Sequence, residues 1–169
     1  MNRQRGFTLL ELIVVIAVVI ILASVVLPKF VRLMQQAEVS AVQGIIGQMR
    51  SALSLQMSRG LYRGDDLAAW AYDGSRPLYP MHDLLLDPPE NYLGVLSASD
   101  RRGCWYDDKN SHELVYVLRH DELVQGVSKT PATLRWQIRV IRGPLAAGEQ
   151  DTLIGLVLEP SSAARWATD

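Results

Sequence analysis

The chain has one cysteine, Cys104, among 169 residues. No intramolecular disulfide can form, so any folded part must hold together by packing and hydrogen bonds. Cys104 stands beside Trp105 and reads as a small buried hydrophobe rather than a reactive thiol. An excess of one charge is also missing: 17 basic residues face 18 acidic ones, for a net charge of −1. A nucleic-acid binder concentrates basic residues on one face, and none is predicted here. Aromatics make up only 7% of the chain. The histidines, His82, His112 and His120, are scattered and lack a metal-ligand spacing such as HExxH. His120-Asp121-Glu122 reads as a solvated turn. Asp107-Asp108 looks like a fragment of a calcium loop but lacks the further acids of such a loop. Ser161-Ser162 has no G-x-S-x-G elbow around it. No glycine-rich phosphate loop follows a strand, and no internal repeat or low-complexity tract is visible. The expectation is a non-enzyme with no cofactor and no metal.

What the chain does have is a long apolar run near its start. Residues 1–6 are polar and end in Gly6. Phe7 to Leu27 is mostly apolar and carries one acid, Glu11. A transmembrane helix needs about 20 such residues. A charged side chain deep in a bilayer costs roughly 2.5–3.5 kcal/mol on insertion scales. Glu11 therefore either has a partner or lies at the headgroups of a plain anchor. A secretory signal peptide has a shorter apolar core, of about 7–15 residues, and a small-residue cut site after it. Here the run is longer, and no convincing site stands near Ala23-Ser24. Arg3 and Arg5 favour a cytoplasmic N-terminus, although Lys29 and Arg32 flank the other end.

Arg5-Gly6-Phe7-Thr8-Leu9-Leu10-Glu11, followed by this run, resembles the processing segment of type IV pilins and of the pseudopilins of type II secretion. The likeness is close over residues 3–30 and looser to about residue 60. It implies that a prepilin peptidase cuts after Gly6 and methylates the new amino terminus at Phe7. That amine lies four residues before Glu11, and residues so spaced share a helix face. It could pair with its own Glu11 or with a neighbour's. The resemblance implies the second option, in which Glu11 docks an incoming subunit onto a growing filament. It also implies a bacterial inner-membrane protein with its N-terminus in the cytoplasm and its C-terminal domain in the periplasm. Its partners would be other pilin or pseudopilin subunits, the inner-membrane assembly platform and the lipid bilayer. Pro28-Lys29-Phe30, with Ala37 and Val42-Gln43-Gly44, is similar to the mannose-sensitive haemagglutinin class within the family. Many pilins close a C-terminal loop with a disulfide, which this chain cannot do. Some pseudopilins hold calcium in such a loop, but their ligands find no residue-by-residue match here.

Pro28 removes a backbone donor and crowds the carbonyl of Ser24, a defect costing about 3 kcal/mol in a helix interior. The Ser24 hydroxyl is a candidate to satisfy the freed group. In the family a proline here borders a segment that unwinds in the filament, often after a glycine eight residues earlier. That position is Ile20, which leaves unwinding of Ile20 to Leu27 open. Beyond it, apolar residues recur at helical spacing. One row is Phe30, Met34, Ala37, Ala41, Ile45, Met49 and Ala52. Its neighbour is Val39, Val42, Ile46, Met49, Leu53 and Met57. A basic residue and a glycine predict a helix end near Arg59-Gly60. A helix of about 53 residues is about 80 Å long, far more than the roughly 30 Å of a bilayer's hydrocarbon core. Gly44 and Gly47 inside it either admit a strand or a neighbouring subunit, or are tolerated weaknesses.

Residues 113–119, 134–142 and 152–159 read as strands, with Trp136, Ile138 and Val140 alternating against Gln137 and Arg139. Asp107 to Ser111 reads as a turn. Residues 61–103 hold Pro77, Pro80, Pro88 and Pro89 and at most a short helix near Leu84. Trp70, Tyr72, Tyr79 and Tyr92 are expected to be satellite core. The predicted fold is α+β and pilin-like: a long N-terminal helix, half membrane-spanning and half amphipathic, packed on a small antiparallel sheet. The expected parts are a leader (1–6), a transmembrane half-helix (7–27), an amphipathic half-helix (28–60) and a globular domain (61–169). The expected function is a major or minor structural subunit of a type IV pilus (a fimbrium) or a secretion pseudopilus. The alternative is a single-pass, membrane-anchored periplasmic binding module that does not polymerise.

Overall fold

The computed structural model describes residues 8–71, 73–125, 131–143, 152–162 and 165–166. The chain divides into two compact units, Met1–Ala41 and Val42–Asp169. In the first unit the described residues form the opening part of helix α1, which runs from Leu9 to Arg63. Apolar residues cover all sides of its first turns, so no polar face limits how the helix is surrounded.

In the second unit the buried face of α1 is carried by Val42, Ile46, Met49 and Leu53, all within 5% of full burial. This is the second of the two rows expected from the sequence. In the first row, Phe30 and Met34 are more than half exposed. The helix also ends later than predicted. Gly60 remains helical and buried, because a Cβ there would collide with the Leu67 side chain and stand 3.1 Å from Trp70. The stop is Gly64, with φ +74°, a conformation that glycine adopts without steric cost. A 3₁₀ turn over Leu67–Trp70 follows, and the Asp66 carboxylate caps it by accepting from the Ala68 N–H at 3.2 Å.

The strands are β1 (Tyr92–Leu96), β2 (Trp105–Asp108), β3 (Leu114–Val117), β4 (Val124–Gln125), β5 (Thr133–Gly143), β6 (Thr152–Pro160) and β7 (Arg165–Trp166). A five-stranded sheet has the order β1-β2-β3-β5-β6, and β4 pairs with β7 apart from it. All pairs in the larger sheet are antiparallel except β1 with β2. The sheet's register places Trp105 opposite Tyr116 and Leu114 opposite Trp136. Rings of Trp105, Tyr116 and Trp136 therefore meet on one face, at centroid distances of 4.7 and 5.6 Å. Tyr106, Val115 and Val117 are buried on the other face, against Leu93 and Leu96. This layering of a long helix and a mostly antiparallel sheet is the α+β, pilin-like fold expected from the sequence.

Two expectations need correction. Asp107 and Asp108 do not open a turn; they end β2 and are buried. The parallel strand β1 was also not foreseen. Its sequence, YLGVL, carries a glycine at φ +89° where the register with β2 shifts, which breaks the alternation a strand normally shows. The short helix near Leu84 is present as α2, Pro80–Leu84.

α1 meets the sheet at its β6 edge. The Arg50 Nε donates to the Leu158 carbonyl at 3.4 Å, and the Leu156 N–H donates to Met57 Sδ at 3.4 Å. Gly155 lies under the same thioether. Gly44 and Gly47 have no neighbouring atom of the described residues within 4 Å of where a Cβ would be, so neither admits one of the described strands.

Candidate functional site

The first helical turn is built by Thr8. Its carbonyl accepts from the Leu12 N–H at 3.2 Å, and its hydroxyl accepts from the Glu11 N–H at 3.3 Å. Thr8 is therefore the N-cap and Glu11 the third helical residue, the T-x-x-E arrangement of a capping box. An acid in this turn also faces the positive end of the helix dipole. Sequence reasoning sought a partner for Glu11 in the amine at Phe7 and overlooked the capping signal spelled by residues 8–11. Gly6 and Phe7 lie outside the described residues.

From this turn onward the large apolar side chains of Leu9 to Leu27 are exposed, with Leu9 76% and Ile21 65% accessible. The helix is long and apolar enough to cross a membrane. Pro28 sits inside α1 with helix on both sides. The Ser24 hydroxyl does not serve the gap left by Pro28. It donates instead to the Ile21 carbonyl at 2.7 Å, because a serine hydroxyl in a helix reaches back toward the preceding turn.

Several acids and histidines of the second unit are occupied by structural tasks. Asp107 is fully buried and accepts from the Met81 N–H (3.2 Å), the His82 N–H (2.8 Å) and the Tyr92 hydroxyl (2.7 Å). It thereby fixes the start of α2 on β2. Burial pushes its carboxyl above the usual range, against the pull of the His82, Tyr92 and Met81 donors. Burial likewise raises the Tyr92 phenol, and the Asp107 charge adds to that effect.

Asp108 accepts from the Asn110 N–H at 2.9 Å and meets Arg135 at 3.2 Å; Arg135 also meets Glu113 at 2.7 Å. Burial alone would raise both carboxyls. Hydrogen bonds from Asn110 and Arg135 to Asp108, and from Ser161, Arg135 and Ser111 to Glu113, hold them below the usual range. Asp121 is clasped by Arg102 at 2.7 Å and accepts from the Ala132 N–H, and these donors lower its carboxyl. His112 stacks on Tyr79 at 4.5 Å, and His82 Nδ1 lies 2.7 Å from Asp83. Trp70, Tyr79 and Tyr92 are partly buried, and Tyr72 lies outside the described residues. Cys104 is buried and free, as expected. Among the described residues no three His, Cys, Asp or Glu side chains converge to hold a metal ion.

These are arrangements that stabilise a domain. The features left for function are the helix start and the exposed apolar length that follows it. Comparison with known proteins points the same way. A family model described as the prokaryotic N-terminal methylation motif matches residues 1–27. The type IV major fimbrial protein FimA of Dichelobacter nodosus is 36% identical over 69 residues, covering 41% of this chain and 44% of the relative. A fimbrial protein of Moraxella nonliquefaciens is 32% identical over 98 residues, covering 57% and 64% respectively. The type IV major alpha-pilin of Moraxella bovis is 35% identical over 60 residues, covering 36% and 38%. In each case the chain spans less than two thirds of the relative's length. No solved structure matches significantly.

Proposed function

With the methylation motif and the fimbrial relatives supporting a type IV pilin family for this chain, we propose that it is a structural subunit of a type IV pilus. The carrying observation is the helix start capped by Thr8 and followed by an exposed apolar run. In lipid that run is covered by acyl chains. Once the subunit leaves the bilayer, the same surface is stable only against the helices of other subunits.

On this reading prepilin peptidase removes residues 1–6 after Gly6 and methylates Phe7. Residues 7–27 serve as the membrane half of the helix and 28–60 as its amphipathic half. Residues 61–169 form the periplasmic domain, and the N-terminus starts in the cytoplasm. Glu11 pairs with the Phe7 amine of a neighbour while its own backbone is held by Thr8. A charge pair of this kind gains most where water is excluded, provided both charges are satisfied. Pro28 weakens the backbone at the junction of the two halves, and the open faces of Gly44 and Gly47 admit a neighbouring subunit. Head-to-tail contacts that do not close produce a filament rather than a ring. The protein makes and breaks no covalent bond itself.

The test is the intact mass and N-terminal sequence of the protein from native membranes, with and without the peptidase. A chain starting at methylated Phe7, seen only with the peptidase, is the expected result. A chain that keeps residues 1–6 would overturn the reading and leave an anchored binding module. Recovery of the protein in sheared surface filaments is expected for the pilus, and recovery only in secretion-dependent pseudopili would favour the type II secretion alternative.

A further inference from the structure

α1 closes on Arg63, and the chain continues through Gly64 and Asp65. The Gly64 N–H donates to the Leu61 carbonyl (3.3 Å) and the Asp65 N–H to the Gly60 carbonyl (3.0 Å). With φ +74° at Gly64 this is the Schellman arrangement, which holds a helix end in one conformation. The Leu67 N–H then donates to the Asp65 carbonyl at 3.0 Å and ties the tripeptide to the 3₁₀ turn behind it. Arg63-Gly64-Asp65 is therefore an ordered backbone that carries a cation, a residue without a side chain, and an acid.

The fold makes no contact with either charge. Arg63 and Asp65 are exposed, and neither side chain has a hydrogen-bond or ion-pair partner among the described residues. Asp65 is also placed against its own stability. It follows the C-terminus of a long helix, the negative end of the helix dipole, where an acid is disfavoured. Its neighbour Asp66 has a structural task, since it caps the 3₁₀ turn through the Ala68 N–H. Asp65 has no such task. No atom of the described residues lies within 4 Å of where a Cβ of Gly64 would be, so another molecule can approach the backbone there. Tyr62, one residue before Arg63, is 94% exposed.

The chemistry of the partner follows from what these groups can satisfy. An unpaired carboxylate is a hard oxygen ligand that completes the coordination of a magnesium or calcium ion. An unpaired guanidinium forks onto a carboxylate. A purely acidic or purely basic surface would meet one matching and one opposing charge within three residues, which disfavours both. We propose that Arg63-Gly64-Asp65 docks into a receptor protein whose cleft holds a divalent cation with one open position and an acidic pocket beside it. Asp65 would complete the cation's coordination and Arg63 would enter the acidic pocket. The receptor backbone would pass over Gly64, with Tyr62 at the rim. Because the tripeptide is already ordered, little freedom is lost on docking. The proposal rests on the filament reading only for how the tripeptide reaches the surface of another cell.

The test uses the full chain in a zwitterionic detergent and, as probe, a purified integrin ectodomain that takes linear Arg-Gly-Asp peptides. Saturable binding in magnesium is expected. It should be lost in a chelator and displaced by a soluble Arg-Gly-Asp peptide but not by Arg-Gly-Glu. Asp65→Glu keeps the charge and lengthens its reach by one methylene, and it should weaken binding at least tenfold, as should Arg63→Gln. Melting curves of both variants should match wild type; if they do not, the peptide competition on the unaltered chain decides. Absence of binding, binding that survives the chelator, or binding that Asp65→Glu leaves intact overturns the proposal. Loss in Arg63→Gln alone would reveal a merely acidic partner and overturns it as well. The assay uses solubilised single chains, so a failure of the filament reading, seen as retention of residues 1–6, leaves its result unaffected.

Discussion

Thr8 and Asp107 are both N–H acceptors at a helix start, one at the solvent-exposed end of α1 and one within the domain core. Their replacement should differ accordingly. Thr8→Val removes a cap worth about 1 kcal/mol, and amide exchange at Glu11 should quicken about fivefold while the domain's melting is unchanged. Asp107→Ala strands two backbone donors and the Tyr92 hydroxyl. It should cost about 3 kcal/mol or more in denaturant unfolding, whereas Tyr92→Phe should cost about 1 kcal/mol. A similar loss in both variants would show that the Asp107 interactions with α2 carry little weight. The two carboxylate environments also oppose each other in pH dependence. Asp107 is raised in the fold, so its stabilising contribution is complete below the ordinary carboxylate pKa of about 4 and is lost as pH rises through the raised value. Asp108 and Glu113 are depressed, so their contribution is present above that ordinary range and is lost as pH falls through the depressed values. Arg135→Gln should therefore cost about 1–3 kcal/mol at pH 7, and the difference from wild type should close as pH falls through the depressed values and both acids protonate.

At the scale of elements, the glycines of the α1 terminus divide two tasks that look alike in the sequence. Gly60→Ala forces a methyl into Leu67 and should cost about 1–3 kcal/mol as an overpacked site. Gly64→Ala places a side chain at φ +74° and should cost about 1–2 kcal/mol through backbone strain. Unfolding curves of the two variants, with a Gly60→Ala, Leu67→Ala pair recovering part of the first loss, separate the mechanisms. The helix itself was legible because its apolar periodicity runs for many turns, and β3, β5 and β6 were legible from alternation around Trp136 and Ile138. Periodicity could not choose between two adjacent apolar rows on α1. The choice was made by contacts from β6 and from the loop at Leu67, distant in sequence. β1 was hidden because Gly94 interrupts its pattern. Asp107 and Asp108 were misread because an acidic pair before Lys109-Asn110-Ser111 has the composition of a turn, and only the α2 backbone and Arg135 make their burial tolerable. At the candidate site the apolar run and Glu11 were plain in the sequence, and the Thr8 cap was equally available there as T-x-x-E.

For the whole molecule, the assembly reading makes Glu11 separable from anchoring. Glu11→Ala should leave the protein in the membrane fraction at wild-type level but reduce its recovery in sheared filaments at least tenfold; normal recovery would remove the proposed role of that carboxylate. A last consequence comes from the edges of the five-stranded sheet. Arg50 and Met57 occupy backbone groups on the free side of β6, and the bulge at Gly94 bends β1 at the opposite side. Among the described residues, each margin's ladder of open groups is interrupted, which disfavours another chain zipping onto it. Fibres of this protein should consequently leave thioflavin T dark and show no meridional reflection near 4.7 Å, the signature of stacked strands. Their diffraction should instead be dominated by the roughly 1.5 Å rise of helices lying along the fibre.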